Sequence, residues 1–527
     1  MLCAFCASLW FSCAIYAQAP TNEAETAARK SVAADPKDAD ARAALALILD
    51  QRGEPDEAER EYKTALELKP KLVSALSNYG VLLARTNRPA EAIAKFEEVL
   101  RIDPKHERAI FNLGALYAAR GDYQRAVPLL EKAAGTPACK PDVREQADRA
   151  LLLTLVNAYA HVDRRKDALS LSRCLEETSA GDARVLFTLA LSLAEAHEYE
   201  EAVRLFRRTN ELRPHTYEVL YNLGLALYNL DRLSEATEAL TAARTLKPDQ
   251  ADPHYRLGLV ASAQGDSKAA MMHWLQALEV QPLFAEANFM LGEEFLKNRA
   301  PEKAIPFYEL ALDQSKGQLV YHLRLGVACV RGQHYERARE VFTRALERYP
   351  ENANLYFLLG YTARAEGQYD QSVAAFQKVL KLEPDNPDAI ASLGYIASQR
   401  GENVEAERLL RRAIQLNPQA FPSYHDLGRL LVKLKRYDEA LPLLQRGVEL
   451  NDKDPGIRYQ LFLAYSRLKR KDEADKELAE FKRLDEVNRH GATPLGGMAK
   501  PGTAKDGDIL PPLPSAASGD TAKPRTP

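Results

Sequence analysis

The amino-acid sequence predicts an all-helical fold, an α-solenoid in which about thirteen similar helix–turn–helix repeats stack side by side. Two observations predict it. First, prolines recur at intervals of 34 residues or of multiples of 34, with one irregular gap; they are Pro36, Pro70, Pro104, Pro214, Pro248, Pro282, Pro350, Pro384 and Pro418. Second, apolar residues within each interval follow the spacing of amphipathic helices, and no strand pattern interrupts them. A constant period of this length indicates a stack of supersecondary units rather than one globular core.

Small residues recur at two fixed places in each repeat. When the recurring proline is placed at position 32, position 20 holds alanine in twelve of thirteen repeats and serine, Ser372, in the other. Position 8 is glycine or alanine in eleven repeats, for example Gly224 and Gly326. Position 24 is large and apolar in most repeats, as at Phe96 and Trp274. Small residues at fixed points on two helices predict that the helix backbones approach closely where they cross.

Each repeat divides into two helices joined by a short polar turn. In the sixth repeat, one apolar face comprises Leu220, Leu223, Leu227 and Leu230, and a second comprises Ala236, Leu240, Ala243 and Leu246. Turns such as Arg120-Gly121-Asp122-Tyr123 place glycine where a helix ends and a polar residue where the next begins. The proline that closes each repeat cannot continue the second helix, so it marks the turn into the next repeat.

This pattern resembles the tetratricopeptide repeat (TPR), a 34-residue helix–turn–helix unit. The segment from Tyr217 to Gln250 carries the resemblance through Asn222-Leu223-Gly224, Leu227, Ala236, Leu240, Ala243 and Pro248. In the same register, thirteen repeats extend over residues 39–488. The resemblance implies a right-handed superhelix whose first helices line a concave groove that binds proteins or peptides.

Two places depart from the regular register. Eight extra residues lie near residues 135–148, where Pro137 and Pro141 interrupt the helical pattern, and we expect the first helix of the fourth repeat to begin near Pro141. Two interpretations of the insertion stay open: a tolerated insertion, or a protruding element that contacts a partner. Residues 20–38 are expected to form an N-terminal capping helix, because a terminal repeat must turn a polar side to water.

The ends of the chain differ from the repeats in composition. Residues 1–19 join an uncharged apolar run to Ala17-Gln18-Ala19, a pattern typical of a signal peptide, so we expect an exported protein, periplasmic or secreted. Residues 489–527 are rich in Pro, Gly and Ala and are expected to be a disordered tail. Its apolar run Ile509-Leu510-Pro511-Pro512-Leu513-Pro514 leaves a second interpretation open, a polyproline-type ligand.

Three of the six cysteines lie in the leader. Of the others, Cys139 falls in the insertion and Cys174 on the second helix of the fourth repeat, so the two are predicted neighbours. In an oxidising compartment they are a possible disulfide pair, and two free thiols are the alternative.

Composition and motifs argue against several functions. The formal net charge is −3, from 71 basic and 74 acidic residues mixed throughout the chain, so no basic field predicts nucleic-acid binding. No phosphate-binding loop, nucleophile elbow or metal-ligand spacing occurs, and the ten histidines are scattered. We therefore expect no catalytic residue, no metal, no cofactor and no membrane span in the mature chain. The oligomeric state is not predicted.

The resemblance implies a groove lined by positions 2, 5, 9, 12 and 13 of the first helices. Aromatic residues at positions 5 and 9 are the candidate contact residues: Phe111, Phe187, Tyr221, Tyr255, Phe289, Phe357, Tyr361, Tyr395 and Tyr459. Basic residues of repeats nine to thirteen are the candidate partners of an acidic ligand: Arg331, Arg364, Arg429, Lys433 and Arg467. An alternative stays open for the position-5 aromatics, which could instead pack between neighbouring first helices.

These observations predict a non-enzymatic scaffold or adaptor that binds proteins or peptides in its groove, exported and acting in the assembly of an envelope or secretion complex. The process rests on analogy with the family. An alternative function is a non-catalytic subunit of a complex that handles polysaccharides or glycans.

Overall fold

A computed structural model describes residues 21–135 and 146–490. Over these two ranges the chain forms 27 helices and no strand. The helices are α1 Asn22–Ala34, α2 Ala39–Gln51, α3 Pro55–Leu68, α4 Val73–Arg85, α5 Pro89–Ile102, α6 Glu107–Ala119, α7 Tyr123–Ala134, α8 Gln146–His161, α9 Arg165–Thr178, α10 Ala183–Glu195, α11 Tyr199–Leu212, α12 Tyr217–Asn229, α13 Leu233–Leu246, α14 Ala251–Ala263, α15 Ser267–Val280, α16 Ala285–Lys297, α17 Pro301–Gln314, α18 Leu319–Arg331, α19 Tyr335–Arg348, α20 Ala353–Ala365, α21 Tyr369–Leu382, α22 Pro387–Arg400, α23 Asn403–Leu416, α24 Phe421–Lys433, α25 Tyr437–Leu450, α26 Pro455–Arg467 and α27 Lys471–His490.

Helices α2 to α27 alternate as first and second helices of thirteen repeats. Twelve of the first helices begin at position 1 of the repeat, and every second helix begins at position 17. The exception is α8, which begins at Gln146, three residues before position 1 of the fourth repeat. The predicted early start near Pro141 lies outside the described residues, as do the signal-peptide segment 1–19 and the tail beyond His490. The all-helical repeat fold predicted from the proline period is confirmed.

The turn between the two helices of a repeat has the same backbone geometry in every repeat. Position 15 is left-handed thirteen times, as glycine in five repeats (Gly53 at φ 83° is the first) and as a larger residue in eight, including Gln333 at φ 63°. The next amide donates to a carbonyl five residues back, as Glu54 does to Leu49 over 3.0 Å and His334 does to Cys329 over 2.8 Å. This six-to-one bond is a Schellman cap, which satisfies a helix carbonyl and reverses the chain.

The two helices of a repeat cross where position 8 faces position 24. A Cβ added to Gly326 would lie 2.2 Å from the ring of Phe342, and one added to Gly292 would lie 2.7 Å from the ring of Tyr308. Glycine at position 8 therefore leaves room for the large side chain at position 24 of the second helix. The sequence predicted a close approach of the two backbones, whereas the structure shows a side chain packed against a backbone. The alanines at position 20 are buried throughout, which explains why no larger apolar residue occurs there.

The chain divides into two compact bodies, residues 1–270 and 271–527. The boundary falls inside α15, so the repeats continue through it along the sequence. In the first body a continuous core runs from Ala39 to Val260. In the second body two clusters of buried side chains run from Phe289 to Ile396 and from Ala397 to Ala474. No helix in the described ranges is both long and apolar enough to cross a membrane.

Helix α1 precedes the first repeat and is held mainly by polar contacts. None of its residues is fully buried. The Arg29 guanidinium forms a bidentate pair with Glu57 of α3 at 2.9 and 3.1 Å, and Arg52 of the α2–α3 turn pairs with Glu25 at 2.8 Å. Ala28 and Val32 pack against the core. Helix α1 therefore lies against the first repeat with its polar face outward, and its role as the cap expected over residues 20–38 stays a prediction.

Ion pairs on the second helices tie neighbouring repeats together. Glu59 of α3 pairs with Arg88 at 2.7 Å, and Glu176 of α9 pairs with Arg204 of α11 at 2.5 Å. The partners lie 29 and 28 residues apart, because each pair joins the second helix of one repeat to the N-terminal cap or the body of the second helix of the next repeat. An exposed pair such as that of Glu176 with Arg204 contributes at most about 1 kcal/mol, so the core supplies most of the stability.

Candidate functional site

The predicted groove residues all lie on first helices, and their exposure falls into two groups. Phe289, Phe357 and Tyr361 are buried, with exposed fractions of 5%, 8% and 2%. The other aromatics are half-buried or, for Tyr459, exposed; the half-buried residues are Phe111, Phe187, Tyr221, Tyr255 and Tyr395. Only this second group offers ring surface to a ligand.

The aromatics at position 5 pack on position 24 of their own repeat in three cases. The ring centroids of Phe289 and Tyr308 lie 5.7 Å apart, and those of Phe357 and Phe376 lie 5.3 Å apart, both edge to face. Phe187 and Phe206 lie 5.8 Å apart in the fifth repeat. At these positions the aromatic ring supports the helix crossing, in line with the packing alternative. Phe111 also packs against the core of the first body.

A cation–aromatic cluster in the second body brings together four of the predicted residues. The guanidinium carbon of Arg364 on α20 lies 4.9 Å from the centroid of the Tyr361 ring and 5.0 Å from that of Tyr395 on α22. The guanidinium carbon of Arg429 on α24 lies 5.1 Å from the same Tyr395 centroid. Three consecutive first helices therefore contribute to one cluster, in which two guanidinium groups lie over a single half-buried ring. We call Tyr361, Arg364, Tyr395 and Arg429 the Arg–Tyr cluster.

The two arginines of the Arg–Tyr cluster differ in their acidic partners. Arg429 pairs with Asp426 on its own helix at 3.0 Å. Arg364 has no carboxylate within ion-pair distance in the part of the chain that the structure describes. Burial raises the pKa of the Tyr395 hydroxyl, although the positive charges of Arg429 and Arg364 oppose the shift. Tyr395 is therefore neutral at physiological pH, and the cluster carries net positive charge.

Two further charged residues, Lys433 and Asp388, lie on the first helices that form the Arg–Tyr cluster. Lys433 is exposed one turn beyond Arg429, and its Nζ lies 3.4 Å from the Ser398 carbonyl on α22. Asp388 lies at the start of α22, where the surrounding protein raises the pKa of its carboxyl even though the residue is exposed. Arg331 and Arg467, also predicted here, are exposed in the last turns of α18 and α26. Neither contributes an ion pair or a ring contact to the cluster in the described ranges.

A second aromatic group lies in the first body. The rings of Tyr217 and Tyr221 on α12 stack with centroids 5.7 Å apart and planes 13° from parallel. Lys247 Nζ lies 4.3 Å above the Tyr217 ring and 2.8 Å from a Glu218 carboxylate oxygen. Arg256 on α14 donates a long hydrogen bond of 3.4 Å to the Tyr221 hydroxyl oxygen. In this group Lys247 pairs with the Glu218 carboxylate and Arg256 with the Tyr221 hydroxyl, whereas Arg364 has no such oxygen partner in the described residues.

Glu293, at position 9 of the eighth repeat, contacts two neighbouring side chains. Its carboxylate accepts a hydrogen bond of 2.6 Å from the Tyr308 hydroxyl and pairs with Arg324 of α18 at 3.1 Å. Burial raises the pKa of the Tyr308 hydroxyl, with the Glu293 charge adding to the shift. The Glu293 carboxylate is therefore already paired within the protein.

Sequence reasoning missed several residues that contact the predicted ones. Arg256, Arg324 and Asp426 each complete a cluster, and all three lie at position 6 of their repeats, a position that was not among the predicted groove positions. A signal exists in the spacing, since contacts between adjacent first helices join residues roughly one repeat apart. Tyr221 and Arg256 are 35 residues apart, as are Ser398 and Lys433. A search for complementary groups at that separation would have found Arg256, but not Arg324, which pairs with Glu293, or Asp426, which pairs with Arg429 on its own helix.

No group of histidine, cysteine, aspartate and glutamate in residues 21–135 and 146–490 has the arrangement of a metal site. Cys329 is a buried free thiol, and burial raises its pKa to about 11, so it is a poor nucleophile. Cys174 is disulfide-bonded. Cys139, its predicted partner, lies outside the described residues, so the pairing with Cys139 stays a prediction.

Family models match most of the helical region. Two tetratricopeptide repeat models match residues 16–73, 49–107 and 187–251, and residues 83–136. A third model, the C-terminal domain of cilia and flagella-associated protein 70, a TPR domain, matches residues 263–494. The chain belongs to the tetratricopeptide repeat family. TPR proteins are generally scaffolds without catalytic activity, and the TPR fold supports a role in protein interaction.

Solved structures with the same kind of fold include three that differ in length. Yeast Tom70 is 15% identical, over 87% of this chain and 98% of its own, with a TM-score of 0.32. MamA is 21% identical, over 31% and 90% of the two chains, with a TM-score of 0.29. The C-terminal part of a TPR protein from Cytophaga hutchinsonii is 15% identical, over 46% and 99%, with a TM-score of 0.41. No curated protein sequence matches the TPR chain.

Proposed function

We propose that this TPR protein is a non-enzymatic adaptor that binds an acidic peptide segment of a protein partner at the Arg–Tyr cluster. The observation that carries the proposal is the pair of guanidinium groups over the Tyr395 ring, of which Arg364 lacks a carboxylate partner in the described residues. The partner supplies that carboxylate. The leader sequence supports export, so the partner would belong to an envelope or secretion complex.

The position of the guanidinium groups over the Tyr395 ring prepares them for a carboxylate. A guanidinium held against an aromatic face keeps its N–H donors directed outward in a fixed plane, so less side-chain entropy is lost on binding. Carboxylates accept such donors in pairs, and these charge-assisted bonds are about twice as strong as neutral ones. The half-buried ring adds apolar contact area beside the charge, which suits a peptide with acidic and apolar residues together.

The ligand class follows from this combination. A single free anion would use the charges but not the Tyr395 ring, and a purely apolar helix would leave Arg364 desolvated without a partner, which costs free energy. A peptide that alternates aspartate with leucine or proline satisfies both groups. Lys433, exposed one turn along α24 from Arg429, extends the positive surface and allows a second carboxylate to bind.

Fluorescence anisotropy with a short labelled peptide of alternating aspartate, leucine and proline tests the proposal. The double substitution Arg364→Ala and Arg429→Ala is expected to weaken binding about tenfold or more, since truncating a charge-paired contact costs roughly 1.5–3 kcal/mol. The same peptide with asparagine in place of aspartate is expected to bind no better than the double variant. Added salt is expected to weaken binding of the acidic peptide.

Arg408→Ala is the matched control. Arg408 pairs with Glu405 three residues earlier at 2.5 Å, as Arg429 pairs with Asp426, but it lies exposed on a second helix, α23. Equal loss of affinity in the control and in the double variant would show only a general charge effect and would refute the proposed site. If a polysaccharide bound the wild-type protein and the acidic peptide did not, a glycan-handling role would replace this one.

A further inference from the structure

The Arg–Tyr cluster has a chemically matched sequence within the same chain. Asp506-Gly507-Asp508 directly precedes the apolar run Ile509-Leu510-Pro511-Pro512-Leu513-Pro514. Within residues 491–527, which lie outside the described residues, the only other carboxylate side chain is that of Asp520. Two carboxylates followed closely by isoleucine, leucine and proline supply the acidic and apolar groups that the proposed function assigns to the ligand.

We propose that the segment Asp506–Pro514 occupies the Arg–Tyr cluster in cis and competes with the external partner. The inference rests on the proposed function, because it assigns to this segment the same acidic and apolar contacts. Asp506 or Asp508 would supply the carboxylate that Arg364 lacks. The leucine and proline side chains would lie against the half-buried Tyr395 ring, as proline-rich peptides lie against aromatic rings in other binding domains.

The chain length between the last helix and the segment is sufficient. Residues 491–505 are 15 residues, which span at most about 50 Å when fully extended. Neighbouring helices pack about 8–10 Å apart; α27 is the second helix of the thirteenth repeat, whereas α20, α22 and α24, which carry the cluster, belong to the tenth, eleventh and twelfth. From α27 to α26 and across the first helices to α20 is four helix spacings, roughly 32–40 Å, which is shorter than the extended length of the connecting residues.

The tether makes even a weak contact effective. A segment joined by a short connection has an effective concentration of about 1 mM at its own site. If the isolated segment bound with a Kd of about 0.1 mM, the site would be occupied in roughly nine molecules of ten. The apparent affinity for an external acidic peptide would then fall about tenfold, because only the unoccupied fraction is competent to bind.

Two measurements on the full-length protein test this inference. In the first, the double substitution Asp506→Asn and Asp508→Asn is expected to raise the affinity for the labelled Asp–Leu–Pro peptide about tenfold, since it removes the competing carboxylates. Asp520→Asn, a loss of one charge elsewhere in the same sequence, is the control and is expected to leave the affinity unchanged. In the second, zero-length carbodiimide cross-linking in dilute solution is expected to join Asp506 or Asp508 to the exposed Lys433.

The outcomes separate this inference from the proposed function. If the Asp506 and Asp508 variant binds the peptide as the wild type does, and no cross-link to Lys433 forms, occupancy in cis is refuted while the adaptor function stands. If the peptide binds neither protein, both proposals fail. Tighter binding that disappears when Arg364→Ala and Arg429→Ala are added to the variant supports both.

Discussion

The Ser372 hydroxyl donates a hydrogen bond to the backbone carbonyl of Gly360, 2.6 Å away, and both residues are buried. Ser372 is the single non-alanine at position 20, and Gly360 is the position-8 residue that faces it across the helix crossing. The one serine at position 20 therefore bonds to the residue at position 8, the other position at which small residues recur. A hydroxyl fits where a methyl group fits in other repeats because a carbonyl oxygen is present to accept from it.

The hydrogen bond between Ser372 and Gly360 predicts an order of stability for two substitutions. Ser372→Ala is expected to lower the free energy of unfolding by about 1 kcal/mol, the net value of one buried hydrogen bond. Ser372→Val is expected to lower it by about 2 kcal/mol or more, because the extra methyl group must enter a site with no exposed surface. Urea denaturation followed by circular dichroism measures both. Equal stability of the valine variant and the wild type would contradict the tight crossing.

Glycine at position 8 predicts a strong effect of a single added methyl group. Gly326→Ala would place its Cβ 2.2 Å from the Phe342 ring, so we expect the free energy of unfolding to fall by about 1–3 kcal/mol. Gly181→Ala is the control, because a Cβ there meets no atom within 4 Å and Gly181 has no left-handed backbone. The thermal unfolding midpoints of the two variants are expected to differ clearly. Similar midpoints would show that the crossing can relax around the alanine.

The fold could be predicted from the sequence because each repeat reports the same local geometry. Apolar spacing, Pro70 and its equivalents, and small residues at positions 8 and 20 all depend on contacts within one repeat or with the next. The role of glycine at position 8 needed the structure, since the sequence does not show which atoms of Phe342 face Gly326. Repetition makes the backbone predictable and leaves individual side-chain contacts open.

The candidate site was predictable only in part. Placement of Arg364, Tyr395 and Arg429 on first helices followed from the repeat register. The same register placed Phe357 and Tyr361 in the groove, where the structure buries both. Exposure at a given repeat position depends on the size of neighbouring side chains, which varies from repeat to repeat. A periodic sequence therefore predicts which face a residue lies on better than how much solvent reaches it.

The left-handed turn at position 15 predicts a stabilising substitution. Gln333 has φ 63°, a conformation that costs a residue with a Cβ about 1 kcal/mol and costs glycine little. Gln333→Gly is therefore expected to raise the free energy of unfolding by about 0.5–1 kcal/mol, after the larger entropy of glycine in the unfolded chain is subtracted. Gly367→Ala, at the same position of the next repeat and with no atom near its Cβ, is expected to have the opposite effect. Both are measured by urea denaturation, and a shift of the same sign in the two variants would refute the explanation.

The cysteines predict a covalent link between the insertion and the fourth repeat. Cys174 is disulfide-bonded, and Cys139 is the residue that we expect to be its partner. Non-reducing peptide mapping of protein isolated under oxidising conditions is expected to yield a cross-linked peptide that contains both residues, whereas Cys329 stays a free thiol. Cys139→Ser is expected to lower the thermal midpoint under oxidising conditions and to have a smaller effect in reductant, because reduction removes the same link from the wild type. Recovery of both Cys139 and Cys174 as free thiols would refute the pairing.

The contacts of Glu59 predict how stability changes in acid. Burial alone would raise the pKa of this carboxyl, but hydrogen bonds from Lys63, Arg88 and Tyr79 outweigh burial and lower the pKa from 4.5 to about 2. A carboxyl whose pKa is depressed in the folded state stabilises that state above its ordinary pKa, and the stabilisation is lost as the pH falls toward the folded value. We therefore expect the wild type to lose stability between pH 4.5 and about pH 2 more steeply than Glu59→Gln, which cannot titrate.

Glu67→Gln, on the exposed side of the same helix and without an ion pair in the described residues, is the control and is expected to follow the wild type. Urea midpoints across this pH range would decide the matter, and parallel curves for wild type and Glu59→Gln would show that the contacts do not hold the carboxyl ionised.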